Sequence, residues 1–334
     1  MSFDAFRRDS TSSQRLSAAL AALLTGALAG CNGGGGAAPS ASAPTTITYK
    51  TPGTTFSAFS GSFSSEGLAS RVAASGTVDS SGNFTTVDKV NVTLPTGRTT
   101  FLTTAGSNTV TVSSLPTGAM TNASGSLTSN GTDQYRGGAS GSNQNDFISY
   151  KTALDSSLGT TTLSYAYVGE GSIGTLSQNG QTVAFDGYMF NVFGGQKTQT
   201  ADMPTTGTAD YEGGFKGKSV VVAGNGPSSA ELDGRALLKA DFGAKTFKGT
   251  IDNLREYPAN DPNDKSAMTP TIDLNGTIST NQFGGSAAFA NLPVANVQQS
   301  GVFEGGFFGP KATEAAGALA VKAVYTPTGA SSNT

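Results

Sequence analysis

The stretch Arg235-Ala236-Leu237-Leu238-Lys239-Ala240-Asp241-Phe242-Gly243-Ala244-Lys245-Thr246-Phe247-Lys248-Gly249-Thr250-Ile251-Asp252 decides the fold. Ala236, Leu238, Ala240 and Phe242 alternate with Arg235, Lys239 and Asp241, with Leu237 the exception. After Gly243-Ala244, the residues Phe247, Gly249 and Ile251 alternate with Thr246, Lys248, Thr250 and Asp252. A period of two on both sides of a Gly-X pair reads as a β-hairpin with a two-residue loop. The pattern continues outward. Ile272, Leu274, Gly276 and Ile278 return along Phe283, Gly285, Ala287 and Phe289. Phe303-x-Gly305-x-Phe307 and Leu319-x-Val321-x-Ala323-x-Tyr325 come next, and Tyr211-x-Gly213-x-Phe215 precedes the set. These are at least seven strands, and an eighth is expected around Ser219 to Val222.

The apolar face mixes Phe with Gly, as a small closed barrel requires if its interior is to fill without overpacking. Charged and hydroxyl residues share the other face. A membrane-spanning barrel needs the reverse, an apolar outer band around a polar lumen. The fold class is therefore all-β, with a soluble eight-stranded antiparallel barrel whose interior is packed, neither a porin nor a lipocalin-like cup.

Composition narrows the chemistry. The chain has 334 residues, 45 of them Gly, with 13% charged residues and a net charge of −3. Such a charge gives no reason to expect nucleic acid as a partner. There is no histidine, no tryptophan and one cysteine. Without histidine there is no Ser-His-Asp triad, no Cys-His pair, no HExxH zinc site and no histidine-ligated haem. No Asp or Glu pair stands out as an acid–base couple. The expectation is a non-enzyme with no resident cofactor.

The N-terminus reads as an address. Arg7, Arg8 and Arg15 precede the apolar run Leu16 to Leu28, which closes on Leu28-Ala29-Gly30-Cys31. A basic region, a short apolar region and a small-residue cleavage site make a secretory signal peptide over residues 1–30. The bland alternative is a plain signal peptide with a stray cysteine. The Leu-Ala-Gly-Cys ending resembles the lipobox of bacterial lipoproteins, which implies cleavage before Cys31 and acylation of that cysteine. Several acyl chains on one residue give a stable membrane anchor. Residues 31–44 are rich in Gly, Ala, Ser and Pro and read as a flexible tether. Asn32, where an Asp would suggest retention at the inner membrane, permits delivery to the outer membrane.

Residues 45–200 are strand-like but less regular. Candidate strands are Thr46–Thr51, Arg71–Val78, Asn83–Leu94, Thr99–Thr103, Thr109–Ser113, Phe147–Ala153, Thr161–Val168 and Val183–Phe193, with a turn at Ser80-Ser81-Gly82. Gly118 to Asn145 is poor in large apolar residues and reads as a long loop.

Three segments together resemble the transferrin-binding protein B-like family of surface lipoproteins, which includes factor H-binding protein and haem- or haemoprotein-binding relatives. They are Met203 to Gly213, the hairpin Ala240 to Ile251, and Gly301-Val302-Phe303-Glu304-Gly305-Gly306-Phe307-Phe308-Gly309-Pro310-Lys311-Ala312-Thr313-Glu314 with Gly317. The resemblance covers roughly residues 194 to 326. It implies a β-rich handle domain over 45–200, a barrel over 201–328 and a short tail over 329–334. It also implies a lipid-anchored outer-membrane or cell-surface protein that binds an iron source, either haem, a haemoprotein or an iron-carrier protein, or another host protein. The motifs are structural glycines and core aromatics, which carry fold and not ligand identity. A rival reading is an assembly lipoprotein whose partner is another envelope protein.

The candidate contact residues fall into three groups. The long connection Asn253 to Thr269 carries Arg255, Glu256, Tyr257, Asp261, Asp264 and Lys265. It is either a solvated loop or a partner-contacting one. Its acidic residues lack the EF-hand pattern, so no metal is expected. Tyr165, Tyr167 and Tyr188 read as core aromatics or, alternatively, as haem contacts, and Tyr135 is the candidate placed in the polar loop. Phe308 comes after the inward Phe307, so it covers a domain interface or forms a partner contact.

Overall fold

The computed structural model describes residues 21–32, 63–78, 84–104, 109–112, 128–129, 134–137, 146–156, 159–223, 226–257, 263, 265–292 and 297–325. Apart from two 3-10 turns at Thr200–Asp202 and Pro310–Ala312, their regular structure is all strand. The strands form two large antiparallel sheets and one separate hairpin, Ala153–Ser156 with Gly159–Thr162.

One of the large sheets curls into a barrel. Its strands are β1 (Ala21–Asn32), β2 (Thr208–Ala223), β3 (Gly226–Asp241), β4 (Thr246–Tyr257), β5 (Thr271–Ser279), β6 (Gln282–Ala290), β7 (Val297–Phe308) and β8 (Glu314–Tyr325). Each pairs antiparallel with the next, and β8 pairs with β1 to complete the ring. The expected count of eight is reached, but not by the expected segment. Ser219 to Val222 is the far half of the long β2, and the eighth strand comes from residues 21–32.

The hairpin at 235–252 also differs in its loop. Asp241 pairs with Thr246, so the turn holds Phe242 to Lys245 and not two residues. Phe242 is 6% exposed and packs on Phe307 at 5.5 Å between ring centroids, so the core claims it. The Asp241 carboxylate accepts the Ala244 N–H at 2.8 Å, and Lys245 takes φ 55° to bring the chain round.

The barrel interior is dry and aromatic. Phe247 and Phe283 stack at 3.8 Å with planes 4° apart, and Phe303 and Phe307 lean on both. Glycine makes room for them: a Cβ at Gly305 would lie 2.1 Å from the Phe283 ring. This is the large–small alternation that lets a narrow ring close.

The other sheet is the handle. Its order is 109–112, 99–104, 63–78, 182–195, 166–179, 146–151, 134–137 and 128–129, with 84–93 also paired to 63–78. The strand expected at Arg71–Val78 begins earlier, at Phe63, and the region expected as loop contains Thr128–Ser129 and Gln134–Gly137. Thr46–Thr51 and the turn Ser80-Ser81-Gly82 lie outside the described residues.

The run Thr161–Val168 is not one strand. It breaks at 163–165, where the buried Glu314 carboxylate accepts the N–H groups of Ser164, Tyr165 and Ala166 at 2.6, 2.8 and 2.9 Å. This clasp joins β8 to the handle. The seam around it is apolar: Ala316 and Ala318 of β8 meet Leu68, Leu154, Leu163, Val168, Phe193 and Phe308. Small alanines let the handle approach closely, and burying one Phe contributes about 2–3 kcal/mol. Around the rim of the seam, Thr198 Oγ1 donates to Gly309 O at 2.7 Å, and Arg98 and Lys197 both reach Glu66, at 2.8 and 2.6 Å. The two sheets are thereby fixed as one unit.

Candidate functional site on the barrel wall

The outer face of β2, β3 and β4 carries a cluster of charges around Tyr257. Strand geometry explains why this tyrosine faces outward. Phe247 and Ile251 point into the core, so strict alternation would send Tyr257 inward too. The register between β3 and β4 slips between Asp233 and Arg235, and Asn253 takes φ 48°. This is a β-bulge, which adds one residue and reverses the facing of the residues beyond it. Leu254 therefore enters the core and Tyr257 turns to the wall.

The neighbours are set by pairing. Asp233 stands between Lys216 and Arg255, and Glu231 between Lys218 and Tyr257. Lys216 Nζ donates to Tyr257 Oη at 3.0 Å. The ammonium groups of Lys216 and Lys265 lie 5.6 and 5.0 Å from the centroid of the Tyr257 ring. Contacts of that length over a tyrosine face are attractive. Lys218 Nζ lies 3.4 Å from Glu231 and 3.7 Å from Glu170 of the handle.

After the loop, Ser266–Ala267 pairs back onto Glu256 and Arg255. Met268 N donates to Leu254 O at 2.8 Å. This return lays Lys265 over Asp233, and the two form an ion pair. Asp233 is 0% exposed, and its Oδ1 has no hydrogen-bond partner among the described residues. A buried acceptor without a donor is costly.

The electrostatics stem from burial and crowding. Burial, reinforced by the Glu231 and Asp233 charges, pushes the Tyr257 hydroxyl up to about 12. Burial raises the Glu231 carboxyl, against the opposing pull of Lys218. Burial acts to lower Lys218, but the carboxylates of Glu170 and Glu231 outweigh it and hold the ammonium above its usual range. The site offers charges of both signs, Arg255 and Lys265 exposed among them, around a tyrosine that is 7% exposed, which suits recognition of a polar surface. Among the described residues, no group of three or more His, Cys, Asp or Glu is placed to hold a metal ion.

The residues singled out from the sequence fare differently. Arg255, Glu256 and Tyr257 lie together at the end of β4, with Arg255 exposed. Asp261 and Asp264 lie outside the described residues. Phe308 is 0% exposed and packs in the seam, so of its two roles it takes the interface one and is not open to a partner. Tyr167 and Tyr188 are buried. Tyr167 Oη lies 2.9 Å from Ser65 Oγ and its ring meets Tyr150 edge-on at 5.5 Å. Burial holds its hydroxyl well above the usual range, which disfavours a tyrosinate ligand. Tyr165 is half-buried beside Gly309. Tyr135 is on a strand opposite Ile148 and not in a loop. Tyr167 is in register with Gly194 and Tyr188 with Ile173, so these tyrosines are not gathered at one site. Cys31 stands opposite Glu212 and Glu314 at the end of β1.

Sequence reasoning missed Lys216, Lys218, Glu231 and Asp233. Their signal was present as two charged i, i+2 pairs on strands that turn out to be neighbours, Lys216/Lys218 and Glu231/Asp233.

Residues 203–332 match the family model for the C-lobe and N-lobe β-barrels of Tf-binding protein B. Transferrin-binding protein B of Neisseria meningitidis serogroup B is 33% identical over 85 residues, which is 24% of this chain and only 14% of that protein. The crystal structure of a double mutant of transferrin-binding protein B from Haemophilus parasuis Hp5 covers 80% of this chain and 76% of its own, at 14% identity and a TM-score of 0.30. Intact Ap-TbpB, with its N and C lobes, covers 78% of this chain and 76% of its own, at 12% identity and a TM-score of 0.19. The match over residues 203–332, the ring of strands and the Phe/Gly interior make this barrel similar to the barrels of transferrin-binding protein B.

Proposed function

We propose that this chain is a lipid-anchored outer-membrane protein that binds a host iron-carrier protein of the transferrin type, without catalysis. The observation that carries the reading is the wall cluster around Tyr257, built on the matched barrel and held by Lys265 and Asp233. Tyr257 is 7% exposed, so what the wall offers a partner is its exposed charged side chains, Arg255 and Lys265, held by a rigid wall in the way a polar interface rim is. The anchor in this reading is Cys31, freed by cleavage after Gly30 and joined to the fold through residues 32–62. Haem is the weaker alternative, because Tyr167 and Tyr188 serve the handle core.

The test is surface plasmon resonance with the lipidated protein in detergent over immobilised transferrin, iron-loaded and iron-free. Saturable binding is expected, weakened by Tyr257→Ala, which removes the ring on which Lys216 and Lys265 are packed. Absence of binding of both forms at concentrations well above micromolar would sink the reading. A haemin titration that gives a saturable, red-shifted Soret band would redirect it to haem.

A further inference from the structure

On the outer wall of the barrel, charges meet across the strands in opposite signs. Lys218 stands beside Glu231, Lys216 beside Asp233, Asp210 beside Lys239 and Arg235 beside Asp252. Arg235 donates two hydrogen bonds to Asp252, at 2.8 and 2.6 Å. Lys239 and Lys248 break this pattern. They stand directly opposite each other on β3 and β4, and both are exposed. Among the described residues of the barrel ladders no other like charges are opposed. Neither ammonium group has an ion pair or a hydrogen bond among the described residues. Like charges directly opposite on a sheet destabilise it.

The same spot holds the exception to the period of two on β3. Leu237 is half-buried, in register with Glu212 on one side and Thr250 on the other. Leu237, Lys239 and Lys248 line the middle of a groove of about 780 Å³, with Asp210 and Glu212 on one flank and Asp273 on the other. Lys239 is six residues beyond Asp233 on β3, about 20 Å at the rise of a strand, so the groove is separate from the cluster around Tyr257. We infer that this groove is a second docking surface, for an extended segment of a partner protein that brings one carboxylate to Lys239 and Lys248 and an aliphatic side chain to Leu237.

Charge complementarity defines the occupant. A carboxylate placed between two opposed ammonium groups turns their repulsion into two charge-assisted hydrogen bonds. The acidic residues on both flanks turn away any further negative charge. The carboxylate therefore comes singly, with basic or neutral residues on either side of it. A polyanion or an anionic membrane does not have this pattern, because each presents a continuous field of one sign. Leu237 supplies an apolar contact enclosed by polar groups, the arrangement of core and rim in a protein interface.

The test uses the full chain and short fluorescent peptides, read by anisotropy at low salt, where exposed charges act most strongly. The peptide Lys-Leu-Asp-Leu-Lys should bind saturably, about tenfold more tightly than the same peptide with Asn in place of Asp, because a charge-assisted contact is lost. In Lys248→Glu protein two readouts should move in opposite directions. Opposite charges then face each other across β3 and β4, so Tm should rise by about 1–3 °C. Binding of the Asp peptide should fall about tenfold or more. No saturable binding of the Asp peptide, equal binding of the Asp and Asn peptides, binding unchanged in Lys248→Glu protein, or no rise in its Tm overturns the inference. So does attachment to phosphatidylglycerol vesicles that is lost in the same variant, which would assign the lysines to a membrane. Transferrin is absent from these assays, so the carrier reading can fail without affecting them.

Discussion

Two carboxylates are buried among the described residues, at the domain seam and at the barrel wall, and they are treated in opposite ways. Glu314 spends both oxygens on three backbone N–H groups of the handle. Asp233 gives one oxygen to Lys265 and leaves the other without a donor among the described residues. The first arrangement is a completed fastening. The second depends on one long side chain that arrives from a loop, and Lys265 itself remains partly exposed. The difference teaches that burial alone does not mark a structural residue. What matters is whether the charge is answered by fixed backbone or by a movable partner.

The sharpest way to break the contrast is Glu314→Ala. It leaves three N–H groups at the seam without their charged acceptor, one of them buried and two partly so, and a loss of about 2–4 kcal/mol is expected in urea unfolding. Gly309→Ala attacks the same seam from the backbone. Gly309 has φ 73°, and an added Cβ would lie 2.5 Å from the Tyr165 ring. A loss of about 1–3 kcal/mol is expected by the same measurement. The wall should respond differently. Asp233→Asn removes the charge that lacked a full set of partners, so the change should stay within about 1 kcal/mol while Lys265 and its loop become more accessible to hydrogen exchange. If Asp233→Asn costs as much as Glu314→Ala, the distinction between seam and wall fails.

The smallest expected effect is in alkali. The folded chain holds the Tyr257 proton up to about 12, against 10.0 for a free tyrosine. A group whose folded value is raised contributes its full stability below the unfolded value and loses it as pH rises through the folded one. Stability should therefore decline between about pH 10 and 12, and Tyr257→Phe should decline less over that window. Tm recorded across it, for the two proteins side by side, reads the difference; identical slopes would remove Tyr257 from the account.

The sequence made the barrel legible because Phe and Gly alternate along strands whose two faces see different surroundings. Ile272, Phe283, Phe303 and Leu319 all lie in the core, as the period of two requires. From sequence Tyr257 falls in the connection after the strand, whereas the structure carries β4 on to it, because the bulge at Asn253 continues the strand with its facing shifted by one and no local residue type announces it. The eighth strand was hidden for another reason. Residues 21–30 read as part of a leader and 31–32 as the start of a tether, and their partners on β8 lie at the other end of the chain. Phe308 left two roles open because the handle that covers it is built from residues far earlier in the sequence. Local pattern reports which face is apolar; it does not report what arrives to cover that face.

The clasp at Glu314 also sets a timetable. It grips Ser164, Tyr165 and Ala166, which leave the ribosome 150, 149 and 148 residues earlier. Until the last strand exists, the handle lacks this fastening to the barrel, and the N–H groups of residues 164–166 lack their acceptor. Assembly of the two domains is thus a terminal event, delayed by topology. On the proposed reading of an exported lipoprotein, that delay favours passage of an unfolded chain, since the step that makes it rigid is withheld until nearly all of it has been made.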